Sequence, residues 1–122
     1  MITETLLADL HSHTTASDGQ LTPTELLTRA IEKGVEMFAI TDHDTVGGLA
    51  EAHLANQAHA TPLVLINGCE ISTRWNSFDI HIVGLNLDIG HIGLLDFLTH
   101  QRQLREVRAQ EIGVGELKSL II

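Results

Sequence analysis

An α/β fold with parallel strands is predicted by three features of this 122-residue sequence. Short apolar runs of strand length alternate with stretches whose apolar residues recur at helical spacing. Helix start and stop signals fall between them. The residues able to ligate a metal cluster just after the apolar runs, at the edge where parallel α/β sheets and barrels form their sites.

The first run, Leu6 to Leu10, reads as a buried strand. Successive strand side chains point to opposite faces, so Asp9, His11 and His13 share one face and Leu10 and Ser12 the other. Two imidazoles roughly 7 Å apart along a strand can converge on one ion, with Asp9 placed to orient one of them. A small, polar loop follows over residues 16–20. Thr22, Pro23 and Glu25 then form a helix start, with Thr as N-cap, Pro at the first helical position and Glu three residues on. Leu26, Leu27, Ala30 and Ile31 make the apolar stripe of that helix, which Lys33 and Gly34 close. A second strand, Met37 to Ile40, leads into Thr41-Asp42-His43-Asp44.

Residues from Val46 to Ala58 predict a second helix with Leu49, Ala52 and Leu54 inward. Pro62 opens a third strand, Leu63 to Ile66, followed by Gly68-Cys69-Glu70-Ile71-Ser72 as the segment leaving it. Phe78 to Leu85 alternates as a fourth strand, with Asp79, His81 and Val83 on one face. A last helix, rich in Gln and Arg, is expected from Leu94 to Ile112. Gly113-Val114-Gly115 breaks that pattern, and Leu120-Ile121-Ile122 ends on an apolar note.

Composition narrows the function. Sixteen acids against seven bases, a formal charge of −9 and eight histidines argue against an extended nucleic-acid surface built on many phosphate contacts. They suit a protein that holds cations. Aromatic residues are 3%, which leaves no evident stacking platform for single-stranded bases. No apolar run approaches a membrane span of about 18 residues, and the expected location is the cytoplasm. Cys69 is the single cysteine, so no internal disulfide is available.

Asp9, His11 and His13, then Asp42, His43 and Asp44, then Glu70, then His81 each follow a predicted strand, and Asp18 sits in the loop leaving the first. Taken singly, each is a surface acid or a core histidine. Their shared position makes one cluster the better reading. Imidazole and carboxylate without thiolate suit manganese, zinc or iron, with Mn²⁺ favoured as carboxylates accumulate. Glu70 has two oxygens with which to bridge ions. Such a centre acidifies water and clamps the oxygens of an in-line displacement, so phosphate ester hydrolysis fits best.

The combination Asp9-x-His11-x-His13, Ser17-Asp18-Gly19, Thr41-Asp42-His43-Asp44, Gly68-x-Glu70-Ile71-Ser72 and His81-Ile82-Val83-Gly84-Leu85 resembles the PHP (polymerase and histidinol phosphatase) domain phosphoesterases. The resemblance runs from Leu7 to Gln110. It is strongest to the branch holding the 3′,5′-nucleoside bisphosphate phosphatases and the RNase AM type of 5′-to-3′ exoribonuclease. It implies the amino-terminal portion of a distorted seven-stranded β/α barrel, three to four strands with alternating helices, in one incomplete domain over residues 1–122. It also implies a site for up to three ions, typically manganese. By that resemblance His11 and His13 would bind a first ion and Asp18 and His43 a second. Glu70 would bridge the first and third, and His81 would bind the third.

Asp9, Asp42 and Asp44 match positions that stand behind the ligands. Arg105 and Arg108 match helix arginines that take substrate phosphate, Arg102 less well, and the plain alternative for all three is a solvated helix face. The expected substrate is a small nucleotide, a 3′,5′-bisphosphate or a short 5′-phosphorylated RNA. The family's further ligands, a His and an Asp-x-His pair, have no counterpart after His81, and His91 and His100 fall outside the motifs. The chain is therefore expected to be part of a longer enzyme, inactive by itself, with an open sheet edge prone to self-association. The alternative function is a catalytically inactive metal-binding remnant or interaction module. A hydrolase of C–N bonds is disfavoured, because no lysine stands at a strand end to be carbamylated.

Overall fold

The structure, a computed structural model, describes residues 5–112 and their side chains as far as Gln110. Seven elements follow in order: β1 (Ala8–Asp9), α1 (Pro23–Glu32), β2 (Met37–Ile40), α2 (Leu49–Ala58), β3 (Val64–Trp75), β4 (Phe78–Leu85) and α3 (Ile92–Ile112). The expectations for residues 113–115 and 120–122 lie outside the described residues.

The strands form one four-stranded sheet in the order β1-β2-β3-β4. β1, β2 and β3 run parallel, as the alternation of elements predicts. β4 does not: it returns antiparallel to β3 along the whole of its length. The connection is a two-residue turn, Asn76 and Ser77, with both residues in the left-handed region at φ 46° and 70°. Two positive φ values match the right-handed twist of the flanking strands, the geometry of the tightest hairpins. Asn-Ser carries that turn without the usual glycine, which is why the sequence shows no hairpin signal.

α1 starts where its capping residues place it. The Thr22 side chain accepts from the Glu25 amide, and the Glu25 carboxylate accepts from the Thr22 amide at 3.0 Å. This reciprocal pair is worth about 1 kcal/mol. Gly34 takes φ 79° just past the helix, where a Cβ would be strained.

Leu27 and Ala30 of α1, Phe38 and Ile40 of β2, Leu49 and Ala52 of α2, and Leu63 form the core. Both helices thus cover the face of β2 that carries Phe38 and Ile40. Each large side chain buried there contributes about 1.5–3 kcal/mol.

Four further expectations need correction. β1 is two residues long, not the five of Leu6 to Leu10, and Leu6, Leu7 and Leu10 are exposed. Among the described residues it is the edge of the sheet and pairs on one side, with β2. α2 begins at Leu49, not Val46, after a turn at Gly47 and Gly48. Leu54 is 69% exposed: five residues beyond Leu49 at about 100° each, it points away from the core. Asn56 holds the inward place instead, and its amide exchanges two hydrogen bonds with the Leu63 backbone.

The fourth correction has the largest consequence. β3 runs through Gly68 to Trp75, so the segment expected to leave the third strand is its second half. Gly68 is a packing residue, not a breaker. A Cβ there would lie 2.8 Å from Thr41 Cγ2 and 3.1 Å from the Gly84 carbonyl oxygen. Among the described residues no helix is long and apolar enough to cross a membrane.

Candidate metal centre

Because β3 continues, Glu70 stands inside a strand, and His81 likewise lies within β4. Neither is at a strand end, so the expectation that every candidate ligand follows its strand holds only for the β1 and β2 clusters. The backbone brings the two kinds together. Beyond Ile40 the chain rejoins β3, with Glu70 N–H donating to Asp42 O and Asp44 N–H to Glu70 O. That bridge sets His43 beside Glu70. On the other side, Thr41 N–H donates to Ser12 O at 2.8 Å, which fixes His11 and His13 beside the same segment beyond Ile40.

Glu70 is the hub. Its Oε1 lies 2.5 Å from His11 Nε2 and 3.4 Å from His13 Nε2, and its Oε2 lies 2.8 Å from His81 Nδ1 and 3.4 Å from His43 Nδ1. Asp18 spans the other flank, 3.5 Å from His13 Nδ1 and 3.3 Å from His43 Nε2. The His13 and His43 rings stack with centroids 4.5 Å apart. Three overlapping groups can each enclose an ion: His11, His13 and Glu70; His13, Asp18 and His43; and His43, Glu70 and His81. All six residues expected to ligate are therefore within one cluster. His91 and His100 are exposed and take no part in it.

The chemistry of these donors fits divalent cations. His13 Nδ1 and His43 Nδ1 are buried with no hydrogen-bond partner, which costs free energy unless something accepts their lone pairs. His11 Nε2 meets both His13 Nε2, at 3.2 Å, and Glu70 Oε1, and the single proton such a nitrogen can carry cannot be given to both. Burial pushes the His43 pKa down, against the raising pull of Asp18 and Glu70, so the ring is held neutral, the ligating form. For Glu70 burial pushes upward, but hydrogen bonding from His11 and His81 and the attraction that His43 and His13 would exert once protonated outweigh it. The net shift is downward, and the carboxylate is held ionised. Burial also pushes the Cys69 thiol up to about 11, so it offers no thiolate to a metal or substrate.

The three aspartates behind the cluster hold backbone amides, hydroxyls and a guanidinium, and none of them holds an imidazole. Asp9 accepts from the His11 amide at 3.3 Å, not from an imidazole ring as expected. Asp42 is buried and accepts from Thr14 N–H (2.6 Å), Thr14 Oγ1 (2.7 Å) and Ser17 Oγ (2.7 Å). It thereby fastens the loop between His13 and Asp18. Gly19 closes that loop so tightly that a Cβ would sit 2.3 Å from His13 O. Asp44, at φ 52°, accepts from Ser72 N–H and pairs with Arg105 at 3.1 Å. Sequence reasoning missed Thr14, a fully buried hydroxyl; its one signal was a polar residue directly after the last histidine of the motif.

A cavity of about 490 Å³ opens beside His81, between the β3–β4 hairpin and α3, and Arg105 and Arg108 both line it. Arg102 does not; its guanidinium donates to Asp44 O and Thr99 Oγ1.

A family model described as "PHP domain" matches residues 9–112. A 5′-3′ exoribonuclease of Haemophilus influenzae is 52% identical over 105 residues, covering 86% of this chain and 38% of that protein. A 3′,5′-nucleoside bisphosphate phosphatase of Chromobacterium violaceum is 43% identical over 107 residues, covering 88% and 37%. A solved structure described as an amidohydrolase from Chromobacterium violaceum, with bound sulfate and no metal, superposes with a TM-score of 0.79 at 40% identity, covering 94% of this chain and 39% of that one. The chain thus spans under two fifths of the length of these relatives.

Proposed function

The chain belongs to the PHP domain family, and from that premise we propose that it carries much of the metal site of a phosphoesterase acting on nucleotides. The substrate class is a nucleoside 3′,5′-bisphosphate or a short 5′-phosphorylated RNA, which agrees with the names of the two similar enzymes. One observation carries the reading: Glu70 turns one oxygen to His11 and the other to His81, at the junction of the ligating groups.

In this proposal His11, His13, Asp18, His43, Glu70 and His81 hold divalent cations, with Mn²⁺ the choice that best suits the carboxylates. When bound, such cations acidify water and stabilise charge on phosphate oxygens. The chain's own residues do the positioning. Asp42, Thr14 and Ser17 fix the loop that carries Asp18, and Asp44 ties β3 to α3. Arg105 and Arg108 face the substrate's other phosphate from the cavity wall. Fixed donors of this kind lower a barrier because they need not reorganise as charge develops.

The test places the chain in its longer context, as a chimera in which it replaces the matching part of the Haemophilus exoribonuclease. Adenosine 3′,5′-bisphosphate turnover should collapse on Glu70→Gln while circular dichroism stays unchanged. Elemental analysis should show metal uptake by the chain itself, abolished by His11→Ala with His13→Ala. More than about a tenth of the rate surviving in Glu70→Gln, under 1.4 kcal/mol of barrier, would contradict the bridging role. Unchanged uptake in the double variant would remove the metal site.

A further inference from the structure

The cavity beside His81 holds a second carboxylate that the metal cluster does not use. Asp79 is paired with Arg74 along the β3–β4 ladder, two residues beyond the Ser72–His81 pair. Side chains two apart on a strand share a face, so Arg74 and Asp79 stand on the same side of the hairpin as Ser72 and His81 and roughly 7 Å further out. Asp79 Oδ1 is 3.4 Å from Arg74 Nε and 3.9 Å from Arg108 Nη1. One carboxylate therefore faces a guanidinium from the hairpin and another from α3.

The two carboxylates lining this cavity differ in how firmly they are held. Asp44 is 1% exposed, and its other oxygen is occupied by the Ser72 amide, so removing its partner would strand a buried charge. Asp79 is 62% exposed, and its two pairs are long. Exposed pairs of that kind contribute little, because solvent screens them and two long side chains must be held in place. A phosphate offers three oxygens to planar guanidinium forks and makes shorter, stronger hydrogen bonds. Ser72 Oγ, buried in the wall of the same cavity with no hydrogen-bond partner, is a further donor available to a ligand there.

We infer that Asp79 is a displaceable counter-ion, and that a substrate phosphate takes its place between Arg74 and Arg108. Arg74 is then a binding residue for the phosphate that is not cleaved, and Asp79 sets the affinity by competing for the same guanidinium groups. This rests on the nucleotide reading above and extends it to the hairpin, which the helix arginines alone do not involve.

The test separates the anion site from that reading. Inorganic phosphate is titrated into the metal-free chain and followed by NMR of the arginine Nε–H signals, for wild type, Arg74→Ala, Asp79→Asn and Asp96→Asn. Asp96 lies on the exposed surface of α3 and controls for loss of one negative charge. Asp79→Asn should tighten phosphate binding three- to tenfold, Arg74→Ala should weaken it about tenfold, and Asp96→Asn should move it less than twofold. Failure of Asp79→Asn to tighten beyond the Asp96→Asn control, or of Arg74→Ala to weaken, overturns the exchange. With Mn²⁺ added, wild type should bind adenosine 3′,5′-bisphosphate more tightly than adenosine monophosphate. Phosphate responses of the expected sign without that preference leave the anion site standing and overturn the nucleotide reading instead.

Discussion

His43 shows at the scale of one side chain how burial suits a residue to be a ligand. It is nearly enclosed, between Asp18 on one ring nitrogen and Glu70 on the other. Burial lowers its pKa, and the two carboxylates recover only part of the shift. A base with a depressed folded-state pKa takes up its proton more readily when unfolded. A fall of pH through the ordinary imidazole range therefore favours unfolding, and Glu70, whose pKa is also lowered, adds to that loss below the ordinary carboxylate range. In metal-free buffer the urea midpoint should fall as pH drops from 7 to 5. The fall should be shallower in His43→Gln, measured by fluorescence of Trp75. An equal slope in both proteins would show that burial of His43 does not set the dependence.

At the scale of the element, β3 is the strand that makes the site. Its first third, Val64 to Asn67, lies in the parallel ladder with β2, and the rest, from Gly68 to Trp75, in the antiparallel ladder with β4. Gly68 sits at the change-over, where Thr41, Ile40 O and Gly84 O would all come within 3.1 Å of an added Cβ. Two of those three neighbours are backbone, so they cannot rotate away. Gly68→Ala should cost about 1–3 kcal/mol of stability, the usual range for overpacking, and shift Glu70 relative to His11. Chemical denaturation reads the first effect and metal affinity the second. Loss of stability with unaltered affinity would mean that the strand accommodates the methyl without moving its carboxylate.

For the whole molecule the donor count is decisive. Four imidazoles with one lone pair each and two carboxylates with two oxygens each give at most eight protein donors. Three ions would take about a dozen ligands at four each, as zinc prefers, and more at the six that manganese prefers. Glu70 can bridge, but a neutral ring serves one ion at a time, so the overlap of the three groups at His13 and His43 cannot be filled by those rings alone. Loosely held ions leave nucleophile and phosphate unaligned, and alignment supplies much of the rate in such chemistry. The isolated chain should therefore bind metal yet release phosphate from adenosine 3′,5′-bisphosphate no faster than its Glu70→Gln variant, while the chimera turns over. Robust turnover by the 122 residues alone would mean that a second copy or solvent completes the coordination.

Much of this was legible in the residues themselves. The capping box at Thr22 and Glu25 marks the start of α1, and the bounds of β2 follow from its apolar run, because both are signals between close neighbours in the chain. The six candidate ligands could be named from residue type and motif, since few side chains can serve a metal. Their arrangement was not legible. Glu70 and His81 meet through the continuation of β3 past Gly68 and the Asn76-Ser77 turn, and a glycine in a crowded strand has the same symbol as a glycine in a loop. Leu54 faces outward, and Asp9 reaches an amide in place of a ring, because orientation depends on where an element begins and what lies beside it. Local chemistry determined which residues could do the work. Contacts across 59 positions, from His11 to Glu70, decided how they stand together, for only the packed sheet sets those distances.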